Sequence, residues 1–236
     1  MTFNDLSINS SLIEALKKQN INEPTQIQRK VAKPVFENRD VIACSNTGTG
    51  KTLAYLLPVL SKINSEERNV QAVVLVPTQE LAAQVNTQIS VLFKEGNISA
   101  SSALLIGDAN IARQIDALKS KPVVVVGTPA RILQLIQMKK LHVHNVKTLI
   151  LDEADKLMDK TYFESVLSIR KSLMKRTQVL LFSASIGKRT IKQSDNLTYN
   201  PVIFQLENDK NELIPKTIKH SYVISDRRER IETLRK

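Results

Sequence analysis

Val41-Ile42-Ala43-Cys44-Ser45-Asn46-Thr47-Gly48-Thr49-Gly50-Lys51-Thr52-Leu53-Ala54-Tyr55-Leu56-Leu57 reads as a strand, a glycine-containing loop closing on Gly-Lys-Thr, and a helix. That order makes a phosphate cradle. Backbone N–H groups of the loop and the positive end of the helix point at one place, Lys51 adds a mobile positive charge, and the Thr52 hydroxyl suits a magnesium ion. The pattern usually begins with glycine, and here Ser45 holds that position. A plain turn followed by a helix start would carry some of the same residues, so the rest of the chain has to supply context.

Working outward, short apolar runs alternate with helical segments. Besides residues 41–44, strands are expected at 72–76, 103–106, 123–126, 148–151, 179–182 and 202–204, each a continuous apolar run suited to burial on both faces of a parallel sheet. Helices are expected at 80–93, 111–118, 130–138 and 163–174, with two more ahead of the loop: Ser10 caps one ending near Asn20, and Pro24-Thr25 opens another whose Ile27, Val31 and Val35 share a face. Pro58 should kink the helix after the loop or mark the end of its regular part. The fold class is α/β, a doubly wound, mostly parallel sheet, and ligands of such sheets sit at the carboxyl ends of the strands. Those ends are polar: Pro77-Thr78-Gln79-Glu80, Gly107-Asp108, Gly127-Thr128-Pro129-Ala130-Arg131, Asp152-Glu153-Ala154-Asp155 and Ser183-Ala184-Ser185. All five should gather on the edge that carries the phosphate loop.

The chain has 236 residues, of which 42% are hydrophobic, enough to bury one large α/β domain. Lys and Arg number 34 against 23 Asp and Glu, a formal charge of +11, which points to a polyanionic partner beyond a nucleotide. The excess is uneven: Lys156, Lys160, Arg170, Lys171, Lys175, Arg176, Lys188, Arg189 and Lys192 face only Asp159 and Glu164 in that interval, either as solvated helix faces or as a nucleic-acid track. The single cysteine, Cys44, reads as a small buried side chain. His142, His144 and His220 lack metal-ligand spacing, so a metal should arrive with a nucleotide. The N-terminus has no signal-peptide pattern and no apolar run reaches membrane-spanning length, so a cytoplasmic location is expected. Residues 208–217 read as a linker, 221–225 as a further strand and 226–236 as a charged helix without a stop signal, the truncated start of a second domain.

Asp152-Glu153 follows an apolar strand, as the magnesium-holding acid of phosphate-loop NTPases does; Asp152 is assigned to Mg²⁺ and Glu153 to activation of the attacking water. With these residues in place the chain resembles the N-terminal, RecA-like lobe of the DEAD-box ATP-dependent RNA helicases over residues 3–204. Asp152-Glu153-Ala154-Asp155 is the tetrad that names the family, and Pro24-Thr25-Gln26-Ile27-Gln28 is similar to its adenine-recognition motif. The resemblance implies that Gln28 reads the adenine edge, that Phe3 stacks on the ring, and that Ser45, Asn46, Thr47, Gly48, Thr49, Gly50, Lys51 and Thr52 hold ATP. It further implies that Asp155, Ser183 and Ser185 couple the ATP site to RNA, and that Thr78, Gln79, Gly107, Thr128, Pro129 and Arg131 grip the RNA backbone.

Three positions depart from the family pattern: Gln79 stands for arginine, Asp108 for the second glycine of a pair, and Ala130 for glycine. Gln79 lacks a phosphate-pairing charge, Asp108 adds a repelling one and Ala130 adds a methyl, so weakened RNA binding is expected. The implied activity is ATP-dependent RNA unwinding, with a second RecA-like lobe supplying further arginines; without it the fragment should turn over poorly. The alternative is an ATP-gated RNA-binding scaffold with little unwinding. A DNA-directed or transporter ATPase fits less well, because the Gln28 motif and the tetrad occur together.

Overall fold

The computed structural model describes residues 1–46, 48–185, 187–206, 223–226, 228 and 231. The chain separates into two compact units, Met1–Leu206 and Glu207–Lys236. In the first unit the strands are β1 (Val41–Cys44), β2 (Ala72–Leu75), β3 (Ser102–Leu105), β4 (Val124–Gly127), β5 (Thr148–Asp152), β6 (Gln178–Ser183) and β7 (Val202–Gln205). The helices are α1 (Ser10–Lys18), α2 (Gln26–Phe36), α3 (Lys51–Lys62), α4 (Gln79–Glu95), α5 (Ile111–Lys119), α6 (Pro129–Gln137), α7 (Ala154–Leu157), α8 (Lys160–Ser172) and α9 (Lys188–Ser194), preceded by a 3₁₀ turn at Asn4–Leu6.

The strands form one sheet in the order β3-β4-β2-β5-β6-β1-β7, and every pairing is parallel. The sheet is therefore fully parallel rather than mostly so. Side chains along a strand alternate between faces. Ala43, Val74, Val126, Ile150 and Phe182 pack on one face against α1 to α4. Ile42, Val73, Val125, Leu149 and Leu181 pack on the other against α6 to α8. Burial on both faces explains why these strands read as unbroken apolar runs. Gly127 is required by close approach, since a Cβ there would lie 2.0 Å from the Leu105 carbonyl oxygen on the neighbouring strand.

Pro58 does not end α3, which continues to Lys62 with Pro58 buried inside it. The short helix α7 and the helix α9 were not legible in the sequence; α7 is too brief to show a period. In the second unit the expected strand at 221–225 is absent from Val223, Ile224 and Ser225, which carry no regular structure. Val223 and Ile224 are 74% and 89% exposed, and a strand persists only where a sheet edge satisfies its backbone groups. The 208–217 linker lies outside the described residues, as do positions 221 and 222 and most of the 226–236 helix.

Candidate functional site

Because the sheet is parallel, the loops after β1, β2, β4, β5 and β6 open on one edge. β1 lies between β6 and β7, and β5 borders β6, which brings Ser45, Ser183 and Asp152 onto adjacent strand ends. The Ser45 N–H donates to the Ser183 carbonyl at 3.1 Å, tying the loop to β6. Thr49 Oγ1 donates to the Asn46 carbonyl at 2.8 Å, so the 2.8 Å contact between Ser45 Oγ and Thr49 Oγ1 takes its proton from Ser45. A serine at the position usually held by glycine thus braces the loop from within. Lys51 Nζ donates to the carbonyls of Ser45 and Asn46 at 2.6 and 2.7 Å, leaving one ammonium proton uncommitted. Burial lowers the Lys51 pKa, and the negative charge of Asp152 opposes that shift. Thr47 lies outside the described residues.

Gly50 opens α3 at φ 87°, a left-handed conformation, and a Cβ on it would meet Gln28 Nε2 at 2.5 Å. The adenine-motif helix and the phosphate loop therefore touch at this glycine. Gln28 Nε2 donates to the Gly50 carbonyl at 3.1 Å, and its Oε1 accepts the Thr25 N–H at 3.0 Å, the second half of a capping box at the start of α2. A primary amide has two donor protons and two acceptor lone pairs, so Gln28 keeps one of each. Phe3, by contrast, is 2% exposed and packed into the core, and no ring face is open for the stacking expected of it.

Asp152 closes β5 and is 4% exposed. Its Oδ1 accepts the Glu153 N–H at 2.9 Å and its Oδ2 accepts the Tyr55 hydroxyl at 2.9 Å. Burial pushes the Asp152 pKa up, and the Tyr55 bond, the Glu153 N–H and the Lys51 charge pull against it. Tyr55 is fully buried beneath the site, edge-on to Phe182 at 5.1 Å, and its phenol is held well above its ordinary pKa by burial and then by Asp152. The Thr52 side chain pulls against that shift, so the phenol also senses the other residue assigned to magnesium. Tyr55 was missed in the sequence. The available signal was its spacing: position i+4 from Lys51 puts it on the same helix face. Glu153 holds a left-handed conformation at φ 52°, unusual for this residue type and found where surrounding structure enforces it. That turn sets the Glu153 carboxylate beside Lys156 Nζ at 2.8 Å.

Ser183, Ser185 and Asp155 are joined in one chain. Ser183 Oγ donates to the Ser185 carbonyl at 2.6 Å, and Ser185 Oγ donates to Asp155 Oδ2 at 3.2 Å. At the far strand ends, Thr78 caps α4 through the Leu81 N–H, and Pro129 opens α6 after Thr128. Two of the sequence departures prove to be partners: Gln79 Nε2 donates to Asp108 Oδ2 at 2.7 Å. Arg131 donates to the carbonyls of Gly107 and Ala109, so its guanidinium pins the loop after β3. Gln114, 6% exposed and not singled out in the sequence, secures the same loop through Ile106 and Ala109.

Among the described residues no group of three or more His, Cys, Asp or Glu side chains could hold a metal by itself, and no helix is long and apolar enough to cross a membrane. Asp152 and Thr52 offer oxygen donors of the hard type that Mg²⁺ takes, and each Asp152 oxygen keeps a lone pair beyond its hydrogen bond.

A parallel α/β sheet whose first strand feeds a Gly-Lys-Thr loop, with an acidic pair two strands away, defines a phosphate-loop nucleotide-binding domain. More particularly, residues 25–194 match the DEAD/DEAH box helicase family, and the chain belongs to it. It is 40% identical over 225 residues to the DEAD-box ATP-dependent RNA helicase CshC of Bacillus cereus, covering 95% of this chain and 57% of that one. Its fold is similar to that of a DEAD box protein from the hyperthermophile Methanococcus jannaschii, with a TM-score of 0.83 at 32% identity over 99% of this chain and 62% of the other. It is also similar to Saccharomyces cerevisiae Dbp5 bound to RNA and ADP BeF3, with a TM-score of 0.78 at 29% identity over 87% and 52% of the two chains. The chain spans about half the length of the curated relatives it matches.

Proposed function

We propose that this chain is the ATP-binding lobe of an ATP-dependent RNA helicase, in which ATP binding and hydrolysis drive RNA binding and local strand separation. The observation that carries the reading is the meeting of three groups at one sheet edge: the Lys51 loop, the Asp152–Glu153 pair, and the Ser185–Asp155 hydrogen bond leading toward the Thr78 and Thr128 strand ends. In this reading the loop from Ser45 to Thr52 holds the phosphates, and Lys51 exchanges its carbonyl partners for phosphate oxygens. The free donor and acceptor of Gln28 read the adenine edge, a pattern that discriminates against guanine.

Thr52 and Asp152 are the residues that would hold Mg²⁺, which when bound neutralises charge on the phosphates. Tyr55 keeps the Asp152 carboxylate aimed by occupying its inner lone pair. Glu153, held by its backbone turn, accepts a proton from the attacking water as a general base. Asp155 and Ser185 pass the state of the nucleotide to Ser183 and onward to the RNA-facing ends, and a second RecA-like lobe completes the cleft.

The test is ATP hydrolysis and duplex unwinding by the two-lobed protein, with RNA and with DNA. RNA-specific stimulation that disappears in Glu153→Gln, with nucleotide binding retained, is the expected result; stimulation by DNA alike would refute the reading. A second reading, an ATP-gated RNA-binding scaffold, draws on the Gln79–Asp108 pair and on the Arg131 contacts, which commit backbone-gripping side chains to the protein itself. ATP-dependent RNA binding without unwinding would select it.

A further inference from the structure

The basic interval noted in the sequence is divided by the fold, and part of it meets cations from elsewhere on the edge opposite the phosphate loop. Two cavities lie there, of about 530 and 320 Å³, and they share Asn38 and Arg176. Their walls come from residues just ahead of β1, β2, β5 and β6, the amino ends of the strands. Lys62 and Lys147 line the first, and Arg39, Arg170 and Lys175 line the second.

These cations are not equivalent. Lys62 donates to Val35, Asn38 and Gln178, Lys147 pairs with Glu67, and Arg170 is spent on three carbonyls. Arg39, Lys175 and Arg176 are exposed, and their side chains bond none of the described residues. The carboxylate in the second cavity, Asp40, is 8% exposed and faces inward, accepting the N–H groups of Val179 and Tyr199. It therefore offers little repulsion to an anion outside.

The same cavity carries Tyr199, which is 88% exposed although its backbone N–H is fixed by Asp40 at 2.7 Å. An open aromatic ring on a fixed backbone, lining one cavity with unpartnered arginines, combines a base-stacking platform with phosphate-pairing forks, as in sites for single-stranded nucleic acid. An acidic protein would use the cations and leave the ring without a purpose. We propose that this face, centred on Arg39, Arg176 and Tyr199, binds single-stranded RNA outside the ATP-linked cleft, so that the lobe holds a strand independently of its nucleotide state. The inference rests on RNA being the partner of the chain.

The experiment uses the 236-residue chain with a short single-stranded RNA carrying thiouridine, titrated without nucleotide at several salt concentrations and then photo-crosslinked and mapped. Crosslinks are expected in peptides containing Arg176 and Tyr199. Tyr199→Ala should weaken binding about tenfold and Tyr199→Phe should not, since stacking needs only the ring. Arg39→Ala and Arg176→Ala should each reduce the slope of log K against log salt by about 0.7. Crosslinks confined to the segments around Thr78 and Thr128, with the variants at wild-type affinity, would overturn the inference and leave the helicase reading intact. Crosslinks at Tyr199 with none at those segments in any nucleotide state would support the inference and overturn the cleft assignment. Displacement of RNA by polyglutamate, with Tyr199→Ala neutral, would assign the face to an acidic protein and overturn the inference.

Discussion

The Tyr55–Asp152 hydrogen bond is the contact on which the geometry of the acidic pair most depends, and Tyr55→Phe isolates it. Phenylalanine fills the same volume and keeps the edge-on contact with Phe182, so packing changes little. What is lost is a hydrogen bond at 2.9 Å from a fully buried hydroxyl to a carboxylate that is 4% exposed. Hydrogen bonds to charged groups contribute about 1.5–3 kcal/mol, and a buried acceptor left without its partner takes the value toward the upper part of that range. For a domain of this size each kcal/mol moves the melting temperature by roughly 2–4 °C, so a loss of about 2–3 kcal/mol in Tyr55→Phe should lower it by about 4–12 °C. The assay is thermal unfolding followed by circular dichroism, run as a double-mutant cycle with Asp152→Ala. In the Asp152→Ala background the phenol has already lost its acceptor, and Tyr55→Phe should be close to neutral there. Equal losses in both backgrounds, or a Tyr55→Phe protein that melts with the wild type, would refute the argument that the phenol holds the carboxylate.

Other consequences can be checked independently. Glu153→Gln should reduce hydrolysis by about 10²–10⁴-fold, the range for a lost general base, while a fluorescent ATP analogue binds as before. Gly50→Ala should cost about 1–3 kcal/mol for a left-handed alanine and also displace Gln28 Nε2, weakening adenine over guanine preference in competition binding. Gln79→Arg alone should change RNA affinity little, because the new guanidinium would pair with Asp108; Gln79→Arg with Asp108→Gly should raise affinity and steepen its salt dependence, and an unchanged slope in the double variant would sink the idea that these departures weaken the grip. Burial lowers the pKa of Lys62 from 10.5 to about 8. The folded chain therefore releases that proton before the unfolded chain does, the charged form is penalised below about pH 8, and stability should rise as pH climbs from 8 toward 10.5. Urea denaturation across that window should show a rise that is absent in Lys62→Met.

The sheet was legible because parallel strands buried on both faces leave unbroken apolar runs, and β1 was predicted to the residue, whereas α1 is capped by Asn9 rather than Ser10 and ends at Lys18 rather than near Asn20. The other strand and helix ends moved by one to three residues, since an end is decided by caps and neighbouring strands rather than by periodicity. α7 was lost because its 4 residues are too few to show a period. The nucleotide residues were legible as a motif, yet their partners were not. Gln28 is both an adenine candidate and half of a capping box, and Phe3 resembles a stacking residue but lies in the core. Gln79 and Asp108, read as two separate departures, prove to be hydrogen-bonded to each other across the ends of β2 and β3.

By itself the sequence determined the parallel α/β class, the phosphate loop, the acidic pair and the basic charge, because each is written in local order: strand, loop and helix, or one run of residues. Only the tertiary structure decided which residues come together across distance: Tyr55 under Asp152, Gln28 against Gly50, and Arg39, Arg176 and Tyr199 on the wall of one cavity. The strand order of the sheet sets those distances, and strand order comes from the packing of the whole domain rather than from any one segment.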